Sequence, residues 1–220
     1  MKIVLAGYRS WATKAFDAVK LIFPEVSFSI ASSPEELSKV HDSVILGAGW
    51  SWILDDSFID RNEIIALVHP SDLPEYAGGT PLQHQIIAGI VNTKATLFEV
   101  TNKLDAGPIL YKSDLSLEGN MIDIFSSLSD VTVDLFSRFI KDYPNIPKEI
   151  QKPKKIYKRL KPEDSNLSGL INEMSSLEIY NHIRCREHPY PNAYIKDDTG
   201  TLYFKQVTFI EGENNDKFRI

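Results

Sequence analysis

The sequence predicts an α/β protein with a mainly parallel sheet, and three observations carry that expectation. Residues 2–6 (KIVLA) form a short, continuous apolar run that ends at Gly7, as suits a central strand buried on both faces. The chain then passes into a stretch with Ala12, Phe16, Val19 and Ile22 at helical spacing. Strand-like and helix-like patterns go on alternating as far as Val68, which implies right-handed crossovers between parallel strands.

The remaining elements follow in order. Val26 to Ile30 alternates as a second strand, and Ser33-Pro-Glu-Glu has the form of a helix N-cap with Pro at the first helical position. Ser43 to Leu46 reads as the third strand, residues 55–60 as a short helix, and Ile64 to Val68 as a fourth strand that ends at His69. Pro81 to Gly89 has a helical pattern, and Lys94 to Val100 and Pro108 to Ser113 are strand-like. A long helix is expected over Met121 to Lys141, its wide apolar face running from Ile122, Ile124 and Phe125 to Phe136 and Ile140. Pro144 and Pro147 end it. Composition then turns rich in Pro and Lys. The expected organisation is a main domain over residues 1–145, a linker or wrapping segment over 146–166, and a small α+β addition over 167–220. That addition should hold a helix (Leu177 to Arg186), strands at Ala193 to Ile195 and Thr201 to Phe209 joined by the KDDTG turn, and a further strand at Lys217 to Ile220.

Composition narrows the function classes. The 220 residues are 43% apolar and 25% charged, as in an ordinary globular protein. No apolar run approaches the roughly 20 residues that span a bilayer, and MKIVLAGYRSW reads as a first strand rather than a signal peptide. No membrane partner is expected, and a reducing cytoplasm is the default location. The single cysteine, Cys185, rules out an internal disulfide framework. No spacing of His and carboxylates suggests a metal site. A net charge of −6 disfavours broad nucleic-acid binding, although Lys152 to Lys161 is a local basic run.

Candidate chemistry gathers at the carboxyl ends of the strands, where such sheets bind ligands. His69 closes the fourth strand and opens a loop rich in Pro and Gly. Asp105 lies in the turn LDAGP; its carboxylate would either shape the turn or orient an imidazole for proton transfer. Arg9 and Ser10 stand at the start of the first helix, where free N–H groups could hold a phosphate.

The segments AGWSWIL, HPSDLPEYAGGTPLQ and TLFEVTNKLDAGPIL, over roughly residues 45–113, strongly resemble the folate-dependent formyltransferases. KRLKPED and IYNHIRCREHPYPNAYI resemble the segment that follows the catalytic domain in the methionyl-tRNA and sugar enzymes of that family. The resemblance implies a Rossmann-like formyltransferase domain and N10-formyltetrahydrofolate as formyl donor. It implies His69 and Asp105 as the catalytic pair: an amine attacks the formyl carbon, His69 stabilises the resulting oxyanion, and Asp105 helps move the proton. It places the folate against Trp50, Ser51, Trp52, Ile53 and Leu54 and against the loop holding Thr101 and Leu104. The implied acceptor is a nucleotide-linked amino sugar. Its diphosphate would meet Arg9 and Ser10, its base would lie near Tyr190 or Tyr194, and Tyr76 and Gly79 would add contacts from the His69 loop. The alternatives are a methionyl-tRNA formyltransferase-like enzyme and a catalytically impaired relative that binds folate or nucleotide sugar.

One position departs from the pattern. The family has an Asn two residues before the His, and this chain has Leu67. Leu cannot donate a hydrogen bond to an oxyanion, so Asn92, Gln85, His84 and Ser51 are the candidate replacement donors. The C-terminal hairpin is a candidate surface for a homodimer.

Overall fold

The computed structural model describes residues 1–152 and 154–212. Its centre is a six-stranded sheet. Strand β1 (Lys2–Ala6) lies between β2 (Ser27–Ala31) and β3 (Val44–Gly47), and β4 (Ile64–His69) follows β3, all four parallel. The two-residue strand β5 (Ala77–Gly78) stands apart from this sheet. The sheet continues with β6 (Asn92–Glu99), antiparallel to β4, and β7 (Ile109–Ser116), antiparallel to β6. The order is β2-β1-β3-β4-β6-β7.

Side chains alternate across the sheet, and this builds two cores. Ile3, Leu5 and Leu46 face helices α1 (Ser10–Ile22) and α5 (Met121–Asp142) and pack with Phe16, Val19, Leu128 and Phe136. Val4, Ala6, Ile45 and Ile65 face the other way, against Leu37 of α2 (Pro34–Leu37) and Phe58 of α3 (Asp56–Asp60). The helices start where side chains take up free N–H groups. Ser33 Oγ accepts from Glu36 N at 3.2 Å, Asp55 accepts from Phe58 N at 2.8 Å, and Asn120 caps α5 in a capping box with Asp123.

Three expectations need correction. Ile22 and Ile122 are exposed, not part of the apolar faces assigned to them. At 100° per residue each falls at the edge of the buried arc, and each sits in a terminal turn of its helix, where less of the core reaches it. The strand expected to run from Thr201 to Phe209 stops at Phe204. Its partner β9 (Ala193–Asp197) begins opposite that residue, so β10 (Gly200–Phe204) has nothing further to pair with. Lys217 to Ile220 lie outside the described residues.

Residues 149–152 and 154–160 run along the main sheet unit. Glu149 and Ile109 exchange two backbone hydrogen bonds, of 2.8 and 2.9 Å. Strand β8 (Ile156–Tyr157) pairs in parallel with β5, and Leu160 N donates to Thr80 Oγ1 at 3.1 Å, just before α4 (Pro81–Ile87). Beyond it, α6 (Ser176–Arg184) is fastened to the start of α5. The buried Arg184 donates to the carbonyls of Leu117 (2.6 Å) and Gly119 (2.9 Å), and Met121 N donates to Glu187 (2.9 Å). No helix among the described residues is long and apolar enough to cross a membrane.

Candidate functional site

His69 is the last residue of β4 and shares a face with Leu67, while Val68 between them joins the α1–α5 core. Its ring is 7% exposed and stands edge-on to Phe98, with centroids 6.4 Å apart. Nε2 lies 3.0 Å from Tyr76 O. A carbonyl only accepts, so Nε2 carries the proton and donates. Nδ1 faces Asp105 Oδ2 at 3.5 Å, too far for a hydrogen bond. With Nε2 protonated in the neutral ring, two lone pairs confront each other there. A proton arriving on either group would find an acceptor already opposite it.

The loops around this pair are held in unusual conformations. Asp105 Oδ2 also accepts from Gly78 N at 2.7 Å. Asp105, Tyr76 and Thr80 are three of the four non-glycine residues with positive φ among the described residues, at 48°, 54° and 51°. Each such conformation costs on the order of 1–3 kcal/mol and persists only where its surroundings enforce it. Two glycines are obligatory here. A Cβ on Gly78 would stand 2.3 Å from Tyr157 O, and one on Gly107 only 1.8 Å from Glu99 O.

Leu67 fills the position two residues before the histidine and leans over Gly47, where an added Cβ would lie 2.2 Å from its Cδ2. Three of the candidate replacement donors are spent or distant. Gln85 Nε2 donates to Pro70 O (2.8 Å) and Pro81 O (2.9 Å), and its Oε1 accepts from Thr93 (2.6 Å). His84 Nε2 donates to Lys158 O at 2.9 Å. Asn92 stands four residues before Thr96, the partner of His69, hence about 13 Å along the strand. Ser51 Oγ accepts from Tyr8 OH at 2.8 Å and keeps its own hydroxyl proton.

Trp50 to Leu54 follow β3. Trp50, Leu54, Leu67 and Val100 all pack on the same apolar cluster, which brings this loop and the one carrying Thr101, Leu104 and Asp105 to one face of the sheet. Trp50 and Trp52 meet edge to face at 4.9 Å, and Tyr8 lies 4.7 Å from Trp52. Trp52, Ile53 and Leu104 are exposed. The indole N–H of Trp50 is buried without a hydrogen-bond partner among the described residues.

A cavity of about 400 Å³ opens at the N-terminal ends of α1 and α5 and is lined by Arg9, Ser10, Trp11, Phe125, Tyr190 and Lys205 among others; neither His69 nor Asp105 reaches it. Trp11 stacks on Phe125 at 6.4 Å, and Phe125 lies 6.1 Å from Tyr190, whose phenol burial pushes up to about 12. The Arg9 guanidinium sits over the Tyr8 ring at 4.9 Å. The residues assigned to an acceptor therefore fall into two groups. Arg9, Ser10 and Tyr190 share this cavity, while Tyr76 and Gly79 belong to the His69 loop. There Tyr76 stacks on Tyr157 (4.8 Å) and Gly79 N donates to Tyr157 O (2.8 Å). Tyr194 is elsewhere, 5.5 Å from Tyr203 on the hairpin. Among the described residues no three potential metal-binding side chains come together.

Sequence reasoning missed Gln151 and Tyr157, which brace the two loops from behind. The only available signal was the apolar pair Ile156-Tyr157 inside a run of lysines.

Residues 18–121 match the Formyl transferase family profile. The methionyl-tRNA formyltransferase of Mycoplasmopsis pulmonis is 29% identical over 191 residues, covering 80% of this chain and 65% of that protein. The chain thus spans about three fifths of the length of the curated relatives it matches. The solved methionyl-tRNA formyltransferase from Clostridium thermocellum superposes with a TM-score of 0.86 at 29% identity, over 97% of this chain and 95% of that one. A sugar N-formyltransferase from a Shewanella species gives 0.75 at 13% identity, over 96% and 99%, a likeness of fold.

Proposed function

The chain belongs to the folate-dependent formyltransferase family, and from that premise we propose that it transfers a formyl group from N10-formyltetrahydrofolate to the amine of a nucleotide-linked amino sugar. The observation that carries the reading is the His69–Asp105 pair, fixed by Tyr76 O and Gly78 N, beside the two loops expected to hold the donor. Those loops suit a flat heteroaromatic ring. They present exposed apolar side chains at Trp52, Ile53 and Leu104 and an indole N–H, at Trp50, that lacks an acceptor. The donor, when bound, supplies a formyl carbon open to attack by an amine.

The chain's own groups then manage the proton. Tyr76 O holds the imidazole by Nε2, so Nδ1 is the ring position left to take a proton, and Asp105 Oδ2 waits opposite to stabilise it. A proton held there can be returned to the departing nitrogen, the usual work of a general acid–base pair. Leu67 contributes no donor, which makes oxyanion stabilisation the weak step.

The cavity at α1 supports the acceptor assignment. Free N–H groups at the helix start and the Arg9 guanidinium suit a diphosphate, Lys205 adds a second cation, and Trp11, Phe125 and Tyr190 offer aromatic faces to a base. The more similar relatives favour a second acceptor, the amino group of methionyl-tRNA. One experiment separates the two. The protein is incubated with the formyl donor and either a panel of nucleotide 3- and 4-amino sugars or methionyl-tRNA at low salt, and released tetrahydrofolate is followed. Turnover with an amino sugar supports the proposal. Turnover with the tRNA alone replaces it with the second reading, and none with either sinks both.

A further inference from the structure

We infer that Gln151 is a positioning residue that sets Asp105 against His69, an inference that rests on the proposed role of Asp105. Gln151 is 7% exposed and lies behind the Asp105 turn. Its Nε2 donates to two carbonyls of that turn, Asp105 O at 3.0 Å and Gly107 O at 2.6 Å. Both partners can only accept, so the NH₂ must face them and the amide cannot flip. The remaining atom, Oε1, is buried with no partner among the described residues.

That orphan is informative. A leucine of similar volume would fill the space without an orphan acceptor of its own, but would leave the carbonyls of Asp105 and Gly107 without their donor. What glutamine does and leucine cannot is grip two carbonyls at once. The grip acts where the turn is most constrained: Asp105 is left-handed, and Gly107 passes so close to Glu99 that no side chain fits. Gln151 is itself held in place. Glu149, two residues earlier, exchanges two backbone hydrogen bonds with Ile109, the first residue of the strand that leaves the turn. Loosening the turn would carry Asp105 Oδ2 away from both Gly78 N and His69 Nδ1. The second distance is already 3.5 Å, so a small shift would take it out of reach even with a proton present.

The test uses the full chain with Gln151→Leu and the isosteric Gln151→Glu, both of which lose the two donors. Three quantities are read: kcat and KM separately, the hydrogen-exchange rate of the Gly78 amide, and the unfolding midpoint. The expected result is a kcat lowered on the order of 10- to 100-fold, as for a small misplacement of a catalytic group. KM should be unchanged and Gly78 exchange faster, while the Gln151→Leu midpoint falls only slightly, since the orphan acceptor is gone but the Asp105 and Gly107 carbonyls lose their donor. Native kcat and native Gly78 exchange in both variants would overturn the inference, as would a loss of kcat that merely follows the unfolding midpoint. The exchange measurement needs no turnover. Should the native protein prove inactive with every acceptor, the functional proposal fails, and Gly78 exchange still decides the role of Gln151.

Discussion

Around His69 both ring nitrogens face protein groups, and three left-handed residues hold the surrounding loops in place. At the start of α1 the situation is reversed: Arg9 and Lys205 line an open cavity, and the N-cap makes no side-chain hydrogen bond. The first region has its charges placed before any ligand arrives. The second offers cations and aromatic faces with room between them. On the proposed reading, the first would handle a proton and the second would recognise a larger anionic molecule. The Tyr8–Ser51 hydrogen bond and the Tyr8–Trp52 contact link the start of α1 to the loop after β3.

Substitutions in the two regions should therefore fail differently. Asp105→Asn removes the carboxylate facing His69 and should lower kcat on the order of 10²- to 10⁴-fold with acceptor KM unchanged; a KM effect of similar size would erase the distinction. Leu67→Asn offers a donor beside the histidine and should raise kcat, by up to about 10²-fold if the family geometry is recovered. An unchanged rate in that variant would mean that another donor already serves, Ser51 being the candidate that keeps its hydroxyl proton. Arg9→Ala belongs to the other region. Acceptor KM should rise about tenfold, the worth of one charge-assisted hydrogen bond, with kcat nearly constant, and the penalty should shrink as salt is raised.

The smallest effect is on stability at alkaline pH. Burial pushes the Cys185 thiol up to about 11 and the Tyr190 phenol to about 12, both above their ordinary values. A raised folded-state pKa means that the folded form holds the proton more tightly. That contribution is complete below about pH 9 and is lost as pH climbs through 11 to 12. The unfolding midpoint should fall over that window, and Cys185→Ala should flatten the lower part of the decline. A slope identical in the variant would remove Cys185 from the account.

Much of this was legible in the sequence. Continuous apolar runs marked β1, β3 and β4, and Ser33 and its neighbours announced a helix start that forms as read. Those signals are local, set by periodicity and capping within a few residues. The bracing of the site was not legible, because it depends on contacts between distant segments. Gly78 needs its bare Cα on account of Tyr157, and Gly107 on account of Glu99. Nothing near Gln151 marks it as the residue that meets the Asp105 turn. The end of β10 was misjudged for a similar reason, since the alternation continues to Phe209 but the partner strand does not.

The pairing of β5 with β8 has a consequence for how the protein comes into being. The loop around His69 is closed by a strand that lies roughly 80 residues further along the chain. A chain emerging from the ribosome can complete its four parallel strands long before that closure, and a pairing so distant in sequence is slow to form. The imidazole's anchor at Tyr76 and the carboxylate's anchor at Gly78 would thus be fixed late. A nascent chain cut short before Ile156 would carry the sheet, the histidine and the aspartate, and still lack the arrangement that makes them a pair.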